Sequence, residues 1–256
     1  MVSVVEVSKN SKSLTQIFSF TPVDKSWYPL LQHALCYLPT GYIEELALSS
    51  DNWLPGKNAI FNAFSLPLSQ TQYILFGESP YPRPESANGY AFWDGRVKNI
   101  WSSNGLSKEV NRATSLRNII KMLLVSSNIL TPAQCTQPQI SKINKTYLIN
   151  DLNDLFNNLL NNGFLLLNAS LVLSQRKVQH DAKAWLPVIE QLLLQVFAQR
   201  PSIQLILFGK IAQTINTLPI AHNFKQIQSE HPYNISFIQN STIIEFFRQF
   251  NLLYRE

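Results

Sequence analysis

The chain has 256 residues, of which 45% are hydrophobic and 14% are charged. This composition is typical of a globular protein with a sizeable core and argues against an intrinsically disordered chain. The formal net charge of +5 is compatible with a polyanionic partner, because basic side chains that neutralise phosphates release counterions. The two cysteines, Cys36 and Cys135, are too few for a disulfide framework or a cysteine metal cluster, so we expect a reducing compartment.

The N-terminus lacks a basic segment followed by a long apolar core, so the sequence predicts no signal peptide. The longest apolar stretches, residues 164–167 and 205–208, are too short to span a bilayer. We therefore expect a cytoplasmic protein without a membrane segment, and no pattern indicates a metal or an organic cofactor. Residues 1–20 are polar and predict an N-terminal arm, and residues 21–256 predict one domain.

Short apolar runs alternate with helical patterns along the chain. The predicted buried strands are residues 73–76, 164–167, 203–208 and 224–227. The predicted helices are residues 115–124, with Ser115 as the N-cap, then residues 186–197 and 243–253. This alternation predicts an α/β fold with three layers, in which helices flank a central, mostly parallel four-stranded sheet.

Polar residues or glycines follow each predicted strand. The first strand is followed by Gly77-Glu-Ser-Pro-Tyr-Pro, the second by Asn168, the third by Gly209-Lys210 and the fourth by His231-Pro232. The carboxyl ends of parallel strands lie at one edge of a sheet, where open α/β sheets bind their ligands. The sequence therefore predicts that these four features gather around one site.

Residues 77–92, Gly-Glu-Ser-Pro-Tyr-Pro-Arg-Pro-Glu-Ser-Ala-Asn-Gly-Tyr-Ala-Phe, carry a family resemblance. Without a gap, they resemble the water-activating motif of family 1 uracil-DNA glycosylases, whose pattern begins Gly-Gln-Asp-Pro-Tyr-His. Further similar segments follow in the family's order: residues 54–64, 115–123, 163–168, 207–210 and 231–236. The resemblance implies the uracil-DNA glycosylase fold, DNA as the partner, and hydrolysis of the N-glycosidic bond of uracil or another damaged base in base-excision repair.

Such a reaction requires the base to leave the duplex and enter a pocket that reads its edges. The resemblance implies that Asn168 reads the base, Phe92 stacks on it and Tyr81 closes the pocket to a 5-methyl group. An amide suits this task because it offers one acceptor and two donors. His231 resembles the histidine that donates to the base carbonyl and stabilises the leaving anion. The alternatives are an asparagine that satisfies backbone groups, two core aromatic rings and an ordinary loop histidine.

Three residues resemble DNA contacts of the family. Ser115 and Ser236 match serines that clamp phosphates, and such contacts position the DNA without reading its sequence. Ile235 takes the place of the leucine that wedges into the base stack. Ser115 has a second interpretation as a helix cap, and Ile235 as a residue packed back into the fold.

The family's catalytic aspartate is replaced by Ser79, which can orient water but supplies no carboxylate. A positioned acid or base usually contributes ~10²–10⁴-fold to a rate, so we expect weakened activity. Glu78 and Asp94 are nearby carboxylates that could compensate, and the catalytic candidates are therefore Ser79, Glu78 and His231. Two alternatives to a glycosylase remain: a catalytically silent module that binds DNA or a flipped base, and a protein-interaction scaffold.

Overall fold

The computed structural model describes residues 17–49, 52–175 and 178–255. Most of the predicted arm, residues 1–20, lies outside these ranges. Phe18 is described and buried, and its ring packs edge-on against Trp53 and Phe61 at centroid distances of 5.8 and 5.7 Å. Phe18, which falls within the predicted arm, is therefore part of the hydrophobic core, and the arm prediction is wrong at this residue.

The centre of the fold is a parallel sheet. Its strands are β1 (Tyr73–Gly77), β4 (Phe164–Asn168), β5 (Gln204–Phe208) and β6 (Lys225–Ser229). They lie in the order β4-β1-β5-β6, and every neighbouring pair is parallel. A small antiparallel hairpin of β2 (Trp101–Ser102) and β3 (Gly105–Leu106) lies apart from this sheet. The predicted four-stranded parallel sheet is confirmed.

Helices cover both faces of the sheet because the strands are apolar on both sides. In β1, Ile74 and Phe76 belong to one buried cluster, and Leu75 belongs to the other. The first cluster is covered by α1 (Tyr28–Leu35), α2 (Thr40–Leu48), α7 (Val178–Gln199) and α8 (Lys210–Asn216). The second is covered by α4 (Thr114–Ser126), α6 (Leu152–Asn161) and α9 (Ser241–Arg248), and α3 (Lys108–Arg112) and α5 (Gln137–Ser141) are short helices beside it. This is the predicted three-layer α/β arrangement.

The bounds of all three predicted helices are wrong, and the helix predicted at residues 186–197 spans Val178–Gln199. Helix α4 begins at Thr114 after Ala113, whose carbonyl accepts the amide of Arg117 at 2.8 Å, so Ser115 lies in the first turn and is not the N-cap. Helix α9 ends at Arg248, although its apolar pattern continues to residue 253. Leu252 and Leu253 are buried from a turn that leads into a bridge between Leu148 and Tyr254, so burial continues there without a helix. Among the described helices, none has the length and apolarity needed to cross a membrane.

Candidate functional site at the carboxyl ends of the strands

A cleft with a volume of about 710 Å³ opens at the carboxyl ends of the parallel strands. It is lined by residues that follow all four strands, which confirms the predicted gathering of these features around one site. The site residues predicted from the sequence that line it are Glu78, Ser79, Tyr81, Phe92, Ser115, Asn168 and His231. The topology therefore brings together side chains that are far apart in the sequence.

Asn168 is the last residue of β4 and lies beside Gly77, the last residue of β1. The residue is only 3% exposed, and its side chain makes no hydrogen bond to any described residue. Its amide atoms are not among the fully buried polar atoms that lack a hydrogen-bond partner, so they remain accessible from the open cleft. In this cleft the amide remains available to a ligand, which argues against the interpretation that Asn168 only satisfies backbone groups.

Gly77 makes room for this amide. A Cβ atom added at Gly77 would overlap Oδ1 of Asn168 and lie 2.8 Å from the Cβ of Ala91, whereas ordinary contacts begin at 3.4 Å. A glycine at this position therefore allows the end of β1 to pack directly against the Asn168 side chain.

Tyr81 and Phe92 form one wall of the cleft. The Tyr81 hydroxyl donates to the Phe92 carbonyl at 3.2 Å, and burial, with a smaller contribution from Asp94, raises the pKa of Tyr81 well above its usual range. The Phe92 ring lies edge-on to Phe208 at 5.9 Å. Phe92 has a φ of 62°, a left-handed conformation that is strained for a residue with a side chain. Such strain is typical of functional sites, where the surrounding contacts hold it in place.

His231 lies half-buried opposite this wall, with its ring centroid 6.4 Å from that of Phe92. Its Nδ1 accepts the backbone N–H of Tyr233 at 3.0 Å, so the neutral imidazole carries its proton on Nε2. Burial lowers the pKa of His231, and the negative charge of Glu78 opposes this shift only partly. The site therefore favours a neutral histidine that donates through Nε2.

Helix α4 holds the loop that carries His231 through a side-chain hydrogen bond. Nδ2 of the buried Asn118 donates to the carbonyl of Pro232 at 2.7 Å. The sequence analysis missed Asn118, although a polar residue on the buried face of an amphipathic helix is a recognisable signal. This contact holds the His231 loop in register with the helix.

One of the two carboxylates predicted near Ser79 does not line the cleft. Glu78 lines the cleft, but Asp94 lies in a neighbouring pocket of about 580 Å³, which shares the wall formed by Tyr81 and Pro82. Oδ1 of Asp94 accepts the backbone N–H of Arg96 at 3.0 Å, as in a turn. The prediction that Asp94 could replace the missing carboxylate therefore conflicts with its position.

Glu230 lines the cleft as well, and the sequence analysis missed it. Burial would raise the pKa of Glu230, but hydrogen bonds from its own backbone and from the side chains of Asn240 and Ser236 outweigh this and lower the pKa. Glu230 is therefore an ionised carboxylate at neutral pH. Its only sequence signal was its position next to His231.

The predicted DNA-binding residues lie at the edge of the cleft. Ser115 lines it from the first turn of α4. Ile235 and Ser236 begin the 3-10 helix Ile235–Gln239, and both are exposed outside the cleft lining. With an exposure of 60%, Ile235 is not packed back into the fold. Lys210, which follows the third predicted strand, also lines the cleft, as does Tyr233, which the sequence analysis did not single out.

The fold and the cleft define a parallel α/β protein that can hold a planar heterocycle between an aromatic wall, an amide and an imidazole. Among the described residues, no group of three or more histidine, cysteine, aspartate or glutamate side chains is placed to hold a metal ion. No protein-family model matches the chain.

Known proteins are similar to the chain over most of its length. A uracil-DNA glycosylase from Lactococcus lactis is 30% identical over 185 residues, 71% of this chain and 70% of that protein. A uracil-DNA glycosylase from Thermobifida fusca is 26% identical over 204 residues, 76% of this chain and 72% of that protein. The crystal structure of wild-type UNG from Nitratifractor salsuginis superposes with a TM-score of 0.86 and 39% identity, with 100% of both chains covered. The chain belongs to the uracil-DNA glycosylase family.

Proposed function

We propose that this protein is a DNA glycosylase that hydrolyses the bond between uracil and deoxyribose in DNA. The observation that carries the proposal is the cleft, in which Asn168 presents an amide with no partner among the described residues beside His231 and the wall of Tyr81 and Phe92. A protein-interaction scaffold does not need such a set of groups in a concave site. The similarity to proteins named uracil-DNA glycosylase supports uracil as the base.

Base recognition falls to three side chains in this proposal. Asn168 pairs with the uracil imide N–H and a neighbouring carbonyl, since one amide can accept and donate at once. Phe92 stacks on the base, and Tyr81 limits the space beside its C5 atom. The hydrogen bond from Tyr81 to the Phe92 carbonyl supports this division, because it holds both rings as one wall.

The chemical step separates charge, and His231 acts on the negative end. Water bonds to C1′ of the sugar, the C1′–N1 bond breaks, the electron pair stays on the base, and a proton of the water is released. The N–H at Nε2 of a neutral His231 donates to the base carbonyl as the negative charge grows. A preorganised donor of this kind is worth most in a site with little water.

The positive charge on the sugar in the transition state is stabilised less than it would be by an aspartate at position 79. We propose that Ser79 orients the water, and that the carboxylates of Glu78 and Glu230 favour the cationic sugar from further away. Activity is then expected, but with a rate reduced by ~10²–10⁴-fold relative to an enzyme with a positioned carboxylate. We place the protein in the cytoplasm, because its two cysteines are free thiols, as a reducing compartment allows.

A single-turnover assay on uracil-containing single- and double-stranded DNA tests the proposal. The wild-type protein should release uracil, and Asn168→Ala should abolish release. Asn223→Ala is a matched control, because Asn223 is exposed and lies before the amino end of β6, away from the cleft. If the wild-type protein binds uracil-containing DNA but releases no base, it is a reader of DNA and the catalytic proposal is wrong.

A further inference from the structure

We infer that Tyr233 is a second nucleobase-binding site, on which the base next to the extruded uracil in the same strand stacks. The inference rests on the proposed function and extends it from the excised base to its neighbour. Tyr233 lines the mouth of the cleft and is 68% exposed, unlike the rings of Tyr81 and Phe92 inside it. Neither the sequence motifs nor the proposed chemistry uses this aromatic ring.

The backbone of Tyr233 has a fixed position relative to His231. Its backbone N–H donates to Nδ1 of His231, so its Cα atom lies within one loop turn of the histidine that contacts the uracil. Asn118 holds the same loop through the Pro232 carbonyl. The backbone that carries the Tyr233 ring is therefore preorganised, which lowers the entropic cost of binding a base there.

The ring is free to stack. Within the described part of the chain, no aromatic ring contacts Tyr233 and its hydroxyl has no hydrogen-bond partner. Nucleobases are the planar groups that a DNA strand brings to the mouth of this cleft. Aromatic side chains bind successive bases of a single strand in this way, irrespective of their identity, since every base has a π-face. Lys210, exposed at the same mouth, supplies a positive charge for the backbone of the strand.

Stacking on Tyr233 favours single-stranded DNA. In a duplex, the neighbouring base is already paired and stacked. Contact with Tyr233 therefore costs the free energy of pairing and stacking of that base. In a single strand the base is unpaired and the contact costs little. Tyr233 therefore contributes more to binding of single-stranded than of double-stranded uracil-containing DNA.

A double-mutant cycle between protein and DNA tests this site through binding. The protein variant is Tyr233→Leu, which keeps an apolar side chain but removes the ring, and Tyr233→Phe keeps the ring. The single-stranded DNA carries one uracil and, in two further oligonucleotides, an abasic residue immediately 5′ or 3′ of it. Tyr233→Leu should weaken binding of the intact strand by about 5- to 100-fold, the usual range for stacking one base on an aromatic ring. Tyr233→Phe should bind like the wild type.

The cycle locates the stacked base. At one of the two abasic positions, the wild type should lose the same factor that Tyr233→Leu loses, and the two changes together should cost no more than either alone. Additive losses at both positions, or equal binding by Tyr233→Leu and wild type, would overturn the inference. Tyr147→Leu is the matched control, because Tyr147 is 73% exposed and lies outside the cleft. Because the cycle measures affinity, it gives an answer even if the protein excises no uracil.

Discussion

Replacing Gly77 by alanine should disable base recognition without removing any side chain from the cleft. The added Cβ atom would overlap Oδ1 of Asn168 and press on Ala91, the residue before Phe92. To reach an ordinary contact of 3.4 Å, the Asn168 amide must move by about 1 Å. A misplacement of this size in a positioning group costs on the order of 10²-fold in rate. We therefore expect Gly77→Ala to lower kcat/KM for uracil excision by ~10²-fold.

The assay is single-turnover excision of uracil, and the control is the same substitution at another glycine, Gly41. Gly41 lies in helix α2, and a Cβ atom added there meets nothing within 4 Å. Gly41→Ala should leave excision unchanged and raise the free energy of unfolding by roughly 0.5–1 kcal/mol, because alanine loses less backbone entropy in a helix. Thermal melts of both variants separate a displaced amide from a chain that fails to fold.

The effect of Gly77→Ala should act through Asn168, and a variant that combines both substitutions tests this by measuring uracil binding. Adding Gly77→Ala to Asn168→Ala should cost little more, because the displaced amide is already absent. A folded Gly77→Ala protein with wild-type kcat/KM would refute the argument. Equal losses from Gly77→Ala in both backgrounds would show that the effect runs through Ala91 and Phe92 instead.

The remaining predictions concern the charges around the cleft. Ser79→Asp should raise uracil excision by ~1–3 kcal/mol of barrier lowering, and a lower rate in this variant would assign the serine to a different mechanism. Burial holds the pKa of His231 below its ordinary 6.5, so excision should persist as the pH falls past 6.5 and decline only when the imidazole takes up a proton. Glu78→Gln removes the charge that raises this pKa and should move the acidic limb to lower pH, whereas an unmoved limb would contradict the assignment. The lowered pKa of His231 should also reduce the free energy of unfolding of the wild-type protein as the pH falls below 6.5. The reason is that the histidine of the unfolded chain takes up its proton at a higher pH than that of the folded chain. Affinity for DNA should fall steeply with salt in a titration, and salt-independent binding would favour a scaffold.

The sheet and the gathering of site residues could be predicted from the sequence, because both follow from short-range signals. The buried strands β1, β4 and β5 are apolar runs that end at polar residues or glycines, and parallel topology then places those ends together. Strand β6 has the sequence Lys-Gln-Ile-Gln-Ser, in which only Ile227 is buried, since it lies at the edge of the sheet. Its pattern was correspondingly weak, and the predicted range started one residue early and ended two residues early.

The contacts within the cleft could not be predicted from the sequence, because they depend on three-dimensional packing. Asp94 is only two residues from Phe92, yet the chain turns there and directs it to the pocket beyond Tyr81. Glu230 carries no motif, and its ionised state depends on Asn240 and Ser236, which come close only when the loop folds. Ser115 had a helix-cap pattern, but the turn at Ala113 starts the helix one residue earlier.

Helix α4 links two tasks that are usually considered separately. Ser115, in its first turn, lines the cleft, and Asn118, one turn later, holds the loop that carries His231 and Tyr233. One helix therefore fixes the position of a cleft-lining residue relative to the loop that carries the imidazole. If the loop of residues 231–236 is exchanged for that of a relative, residue 118 must be exchanged as well. The shape of the loop depends partly on this residue, which is more than a hundred positions away in the sequence.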